Sequence, residues 1–430
     1  MSSLIEIMSK DPRFKKMELE LVHSIVNAPT MVDSFARFRD MKALIPDWKF
    51  IFAANSGSTP GLVVNKFFSH GAAIISPFAS ERVLLLDSAT LHEMDILGET
   101  KFQLDYSIAL DTSAMSCLVS FLGSGSNRLP KDMQEVFSFL AQDHVFTDPM
   151  PYVVENLGSI DSDENRFKIT RNIEAYQHLK TIDASYYSKH GVIRSKMSAH
   201  EIKLEAENFV NDIWTSPKYT ELVKTAQYRQ KIMLVILLKT VTIQLLHPGW
   251  SLQKKMQELL DFMNERLSCM FQRETIIACK YFQMGQKFVF FGKIHKNKPL
   301  PEILTELSGM SWDCWHIHHI EQTMNHKPES EARYFFAALL TFDKRYIDLL
   351  TCCQLRAFAS KGALSTSRSY YSGPMFGLGS ESFERELQTR YYSESAVTMR
   401  FTNMGRPWLE AQLPSLEFEL IAQLATVCKS

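Results

Sequence analysis

The sequence predicts an α/β fold of more than one structural unit, and three observations carry that expectation. Between residues 48 and 86 the chain shows short apolar runs separated by Gly, Ser and Pro, the pattern of strands and turns. Two later apolar runs, YSIALD at Asp111 and FFAALLTFD at Asp343, each end in an aspartate. From Ile169 to Met284, apolar residues recur at helical spacing on otherwise polar sequence. With 430 residues, 45% of them hydrophobic, the chain has room for two or three cores.

Each element is justified by its own pattern. Leu19, Leu21, Val22, Ile25 and Val26 stand at mixed three- and four-residue spacing and predict a helical start. Phe50–Ala54, Leu62–Val64, Ala73–Ile75 and Val83–Leu86 predict strands. Tyr106–Leu110 predicts another, followed by a helix over Ser113–Leu122 that a GSGSN turn closes. Pro149–Leu157 and the acidic loop Asp161–Glu164 follow. Helices are expected over His200–Trp214, Tyr219–Leu246 and Leu252–Phe271. Lys287–Ile294 (KFVFFGKI) predicts a strand, HKNKPLPE a polar loop, Trp312–Met324 a helix and Tyr334–Phe342 a strand. Beyond Ser365 a Ser-, Gly- and Tyr-rich loop leads to a small C-terminal unit.

Composition excludes several classes. Lys plus Arg (47) balances Asp plus Glu (48), so the net charge of −1 provides no global field for a polyanion, and nucleic-acid contact requires a local basic patch. The longest aliphatic stretch, Ile232–Leu246, is interrupted by Lys239 and falls short of the ~20 residues a membrane span needs. The N-terminus lacks the pattern of a secretory signal, and seven scattered cysteines without a CxxC pair fit a reducing cytoplasm.

The chemistry rests on acids. Hydrolysis assisted by hard divalent cations needs carboxylates converging on one point, because Mg2+ and Mn2+ prefer oxygen ligands. Open α/β sheets place such groups at the carboxyl ends of their strands. Asp111 and Asp343 end apolar runs, and Glu155 in PYVVEN and Asp313 in SWDCWHIHHIE lie between them. In this order the four acids resemble the PIN-like nuclease superfamily: LDTSAMSCL resembles its strand-Asp-helix opening, Glu155 follows 44 residues later, Asp313 corresponds to an acid opening a helix, and TFDK resembles the last strand-Asp.

The resemblance implies a PIN-like parallel sheet core flanked by helices, with a large, mostly helical insertion. The core would be discontinuous, 105–160 and 300–365, beside an N-terminal mixed α/β unit (1–104), the helical insertion (161–299) and a C-terminal appendage (366–430). It further implies a metal-dependent nuclease in which Asp111, Glu155, Asp313 and Asp343 bind Mg2+ or Mn2+ and catalyse cleavage of RNA in preference to DNA. By analogy alone, such a chain serves as a toxin or antiviral defence effector. Lys344 and Arg345, next to Asp343, are the substrate-phosphate candidates, and Asp87, ending RVLLLD, rivals Asp111 for the first position.

Plainer readings stand beside these. Asp111 and Asp343 suit helix N-caps, Asp313 suits an N-terminal helix charge, and Lys344 and Arg345 suit solvated positions. Lys218, Lys224, Arg229, Lys231 and Lys239, and the loop residues Lys293, His295, Lys296 and Lys298, suit either a phosphate backbone or ordinary exposed surface. Cys314, His316, His318 and His319 form a dense soft-ligand group, but one helix presents only His316 and His319 on a common face. The alternative from another class is a non-enzymatic helical scaffold binding a protein or nucleic-acid partner, and a regulatory protein partner is compatible with either reading.

Overall fold

The computed structural model describes residues 12–54, 62–63, 65–101, 103–123, 129–143, 145–158, 162–326, 332–362, 366–403 and 406–428. The first eleven residues, most of the GSGSN turn and Asp161 of the acidic loop lie outside the described residues.

Helices α1 (Pro12–Val26) and α2 (Met31–Met41) open the chain, and Thr30 with Asp33 forms a reciprocal capping box at the start of α2. Strands β1 (Trp48–Ala54), β2 (Leu62–Val63), β3 (Lys66–Phe67), β4 (Ala73–Ile75) and β5 (Arg82–Leu86) follow, where Gly, Ser and Pro punctuate the apolar runs. Next come α3 (Ser88–Leu97), β6 (Gln103–Leu110), α4 (Thr112–Leu122), α5 (Met133–Leu140), β7 (Thr147–Asp148) and α6 (Met150–Leu157).

The helical stretch consists of α7 (Asp163–Lys180), α8 (Ala184–His190), α9 (Ala199–Thr215), α10 (Pro217–Leu246), α11 (Leu252–Phe262) and α12 (Gln272–Met284). Helix α13 (Leu300–Thr323) leads to β8 (Ala332–Thr341), α14 (Lys344–Cys352), β9 (Leu355–Lys361) and β10 (Thr366–Tyr371). Helices α15 (Glu381–Tyr392), α16 (Glu394–Asn403) and α17 (Arg406–Ala425) complete the chain.

Two five-stranded sheets organise these elements. The first, in order β10-β9-β1-β5-β2, is antiparallel throughout. The second has order β3-β4-β8-β6-β7; β8, β6 and β7 are parallel, while β4 pairs antiparallel with both β8 and β3. The expected parallel sheet is therefore a mixed one. Strand β4 derives from the N-terminal hundred residues yet pairs with β8 directly, Ile74 opposite Leu340.

Alternation along β6 and β8 explains why both faces of the second sheet are covered. Ile108, Leu110, Ala338 and Leu340 pack into one core with α4, α5, α6, α7 and α9. Ala109, Ala337 and Leu339 face the other, built on α10, α12 and α13 and shared with Ile51 and Leu85 of the first sheet. A third, smaller core lies under α1 and α2 against Trp48, Phe50 and Phe52. Helix α10 is 30 residues long, about 45 Å at 1.5 Å per residue, and its Ile232–Leu238 stretch is buried all round. Among the described residues no helix is long and apolar enough to cross a membrane.

Four expectations are corrected. Lys287–Ile294 is no strand: Gly285–Lys287 and Val289–Phe291 form 3-10 turns. Phe288, Phe290 and Phe291 are all buried, which breaks strand alternation, and Phe291 stacks on Tyr281 with ring centroids 3.9 Å apart. The helix expected over Leu252–Phe271 ends at Phe262, continues as a π turn over Met263–Leu267 and stops at Ser268, whose φ is 47°. Helix α13 starts at Leu300 rather than Trp312, because Pro301 is at home in a first helical turn that has no amide bond to lose. The loop expected after Ser365 begins instead with a strand, β10, whose Ser369 and Tyr370 pair with Phe358 and Ala357 of β9.

Candidate active site

The three parallel strands of the second sheet all deliver an aspartate at their carboxyl ends. Leu110 of β6 is opposite Leu340 of β8, so the residues that follow, Asp111 and Asp343, leave the sheet side by side. Asp148 ends β7, the neighbour on the other side of β6. Each is also held by the helix it precedes. Asp111 accepts from the Ala114 amide at 2.7 Å, Asp343 from the Arg345 amide at 2.8 Å, and Asp148 from the Met150 amide at 2.8 Å. The capping roles foreseen for Asp111 and Asp343 are thus present.

Helices α6 and α13 bring the other two acids toward Asp111. Glu155, on α6, accepts from the Thr112 hydroxyl at 2.7 Å, one residue beyond Asp111. Thr112 in turn accepts from Asn156 at 3.2 Å, which fixes α6 against the start of α4. Asp313 lies in the middle of α13, not at its opening as expected, so a helix-terminal dipole does not explain its position. The Tyr346 hydroxyl donates to the Asp313 carbonyl at 3.1 Å and ties α13 to α14.

The electrostatics identify a cluster. Burial pushes the Asp111 carboxyl up to about 7, with Glu155 and Asp343 adding repulsion against its amide bonds. Asp313 is pushed well above the usual range by burial and then by Asp111, Glu155 and Asp343, with Arg345 as the opposing charge. Glu155 is raised by burial, and its bond from Thr112 works the other way. The other three sequence-selected acids therefore all act on Asp313. Asp148 is raised to about 6 by burial, but the four acids are not among the causes of its shift.

Among the described residues, no group of three or more His, Cys, Asp or Glu side chains is drawn together tightly enough to hold a metal ion. The four carboxylates form an electrostatic cluster, not a closed coordination shell. Arg345 accounts for part of this, since its guanidinium forks Asp343 at 2.8 and 3.2 Å and reaches Glu306 at 3.2 Å. Lys344 is exposed, with its stem near Gly71. Asp87, the rival for the first position, caps α3 through Thr90 at 2.7 Å and has Lys49, Arg333 and Tyr334 as its charged and polar neighbours. It lies at the end of β5, in the other sheet.

The soft-ligand group on α13 disperses. His316 is 1% exposed, with Nε2 3.6 Å from Glu155, and is pushed down to about 3 by burial and then by His319. His318 bonds Glu274 at 2.8 Å, and His319 stacks on Trp315. Several basic candidates are neutralised locally: Lys231 by Glu417, Lys239 by Glu258, and Lys293 and Lys298 by Glu306. Lys218 and Lys224 remain exposed.

Sequence reading missed Asp148, Thr112 and Tyr346. The signal for Asp148 was present in FTDP, a short apolar run ending in Asp before a proline that starts a helix. Family models, curated proteins and solved structures, compared in turn, contain no match to this chain.

Proposed function

We propose that this chain is a metal-dependent nuclease, PIN-like in its arrangement of acids, cleaving RNA in preference to DNA. The observation that carries the reading is the electrostatic convergence of Asp111, Glu155, Asp313 and Asp343 where two adjacent parallel strands end. Buried like charges are costly, and a cluster with one compensating arginine has the character of a site that awaits a cation or a proton.

The donor set fits a hard divalent cation by its chemistry, since its four carboxylates are oxygen donors. Asp111, Glu155, Asp313 and Asp343 would hold it, and a cation there supplies Lewis-acid polarisation of a phosphate oxygen. Asp343 must first be released from Arg345, which becomes available to the substrate phosphate, while exposed Lys344 contacts the neighbouring one. Thr112 keeps the Glu155 carboxylate turned toward Asp111. The capping bonds of Asp111 and Asp343 favour the alternative, a non-enzymatic scaffold in which these acids serve only their helices.

Cleavage of labelled single-stranded RNA and DNA with Mn2+ or Mg2+ separates the two. Asp111→Asn and Asp343→Asn preserve the caps, since Asn caps as well as Asp, and each is expected to lower cleavage by more than about 100-fold, beyond the scale of outer-shell ligand partners. Mn2+ is also expected to raise the melting temperature of the wild type and not of Asp111→Asn. No cleavage and no Mn2+ effect in the folded wild type would give the site to the scaffold reading.

A further inference from the structure

A second feature, separate from the acid cluster, is a cleft of about 910 Å³ between α1, the loop after the π turn, β9, β10, α15 and α16. Its size falls within the range of small-molecule sites, roughly 300–1,000 Å³. Arg356, Arg368, Arg400 and His23 line it, and among the described residues no Asp or Glu does. In a chain whose overall charge is balanced, that sorting of sign is local and specific.

None of the three arginines forms an ion pair with a carboxylate among the described residues. Arg356 donates to the Val26 carbonyl at 2.8 Å and to Asn27; Arg400 donates to the Tyr391 carbonyl at 2.6 Å and to Asn264 at 2.8 Å. These bonds hold the two side chains in place without neutralising them. Burial pushes both guanidinium groups down, and His23 is lowered by burial and then by Arg356. Arg368 is exposed at the mouth.

The remaining wall is aromatic and apolar. Tyr370, Tyr371 and Tyr392 line the cleft, Arg356 stands 5.7 Å from the Tyr370 ring and Arg400 stands 5.6 Å from the Tyr392 ring. Leu19, Met270 and Met375 supply the apolar surface. Ser268, a non-glycine residue in the left-handed region, also lines it, directly after the π turn; both irregularities are of the kind found where a chain is bent to serve a site. The wall is stiffened from behind, because Ser369 and Tyr371 bond Glu321 at 3.0 and 3.4 Å and Arg273 bonds Tyr371 at 3.0 Å.

We propose that this cleft is a nucleotide-binding site, taking the phosphates of a nucleoside phosphate on Arg368 and Arg400 and its base against the tyrosines. Guanidinium groups match phosphate oxygens in pairs, and tyrosine faces accept any base by stacking. A bare anion would use the arginines and leave the aromatic wall idle. The site does not depend on the nuclease reading, since no acid of the cluster lines it.

Titration calorimetry of the full chain tests this with ATP, AMP, inorganic phosphate and a 5′-phosphorylated tetranucleotide as probes. EDTA is present throughout, so that no nucleotide is captured through a cation at the acid cluster. ATP is expected to bind in the micromolar range and at least about 10-fold more tightly than inorganic phosphate. Arg368→Glu, at an exposed position without an ion-pair partner among the described residues, is expected to fold normally and weaken ATP at least about 10-fold. Tighter binding of ATP than of the tetranucleotide assigns the site to free nucleotide; the reverse order, equally sensitive to Arg368→Glu, assigns it to a strand terminus. Absence of ATP binding at about 1 mM, phosphate binding as tightly as ATP, or ATP binding indifferent to Arg368→Glu in a folded variant would overturn the proposal.

Discussion

Helix α13 serves two buried clusters of charge from different faces, and the two are built on opposite principles. Asp313 and His316, three residues apart, look toward the strand ends, where four carboxylates meet one half-buried arginine. His318 and Glu321, again three apart but turned away from the first pair, look toward α12. There Glu321 bonds fully buried Arg273, and Glu274 bonds His318 at 2.8 Å. Burial alone would push Arg273 down, but Glu321, Tyr371 and Glu274 outweigh it and hold it above its ordinary value. Burial likewise pushes Glu274 up, and His318 with Arg273 brings it below.

The lesson is that burial by itself does not mark a functional site; the balance of sign does. Two acids facing an arginine and a histidine balance in charge, even though Nε and Nη1 of Arg273 and one Glu274 oxygen make no hydrogen bond among the described residues, and this network also supports the wall of the arginine-lined cleft. Four acids facing Arg345 leave repulsion that adds to the effect of burial, and Asp111 and Asp313 take protons more readily through burial first and through that repulsion second.

The largest effect is expected where compensation is removed. Arg273→Met leaves the buried Glu321 with its hydroxyl partners Ser369 and Tyr371 but without its compensating charge, and is expected to destabilise the fold by about 3–5 kcal/mol, measured by urea unfolding. A neutral outcome would break the contrast, because the second cluster would then hold no stability.

A smaller effect of opposite sign is expected at the first cluster. Asp111 has a folded value of about 7, above its unfolded value near 3.9, so the native state binds the proton more strongly. That contribution is fully present below about pH 4 and is lost as the pH rises through about 7. Asp111→Asn keeps the cap and removes the titration. In EDTA it is expected to be more stable than the wild type at pH 8, by at most about 4 kcal/mol, with the advantage gone by pH 4. Equal differences in melting temperature at both pH values would show that Asp111 is not under strain.

The smallest stability effect sharpens the role of Arg345, the opposing charge at Asp313. Arg345 is about one-third exposed, so Arg345→Ala is expected to cost less than about 1 kcal/mol in stability. Cleavage should nevertheless fall by about 10-fold if Arg345 turns from Asp343 to a substrate phosphate. Unchanged cleavage would restrict it to holding Asp343 and Glu306.

How much of this was legible depends on the range of the interaction. Asp111 and Asp343 were readable because an apolar run followed by Asp and a helical pattern is a local signal, and the same hydrogen bond that makes a cap places the acid at a strand end. Asp148 carried that signal on a strand of two residues, too short for periodicity to register. Asp313 was selected with the wrong helical context, since the prolines at 299 and 301 start α13 at Leu300, thirteen residues before it. KFVFFGKI misled because its aromatic content suits a strand, while packing against α12 buries it as turns.

The sequence by itself determined the α/β character, the strands that end in acids and the absence of any global charge, because these depend on composition and on periods of two and 3.6 residues. Only the tertiary structure decided that β4 joins β8, that Glu155 and Asp313 converge on Asp111, that Arg273 meets Glu321 from 48 residues away, and that arginines 356, 368 and 400 surround one cleft. Those relations join residues tens to hundreds of positions apart. Side-chain packing on both faces of a sheet fixes them, and no local pattern encodes which distant charge will be neighbour to which.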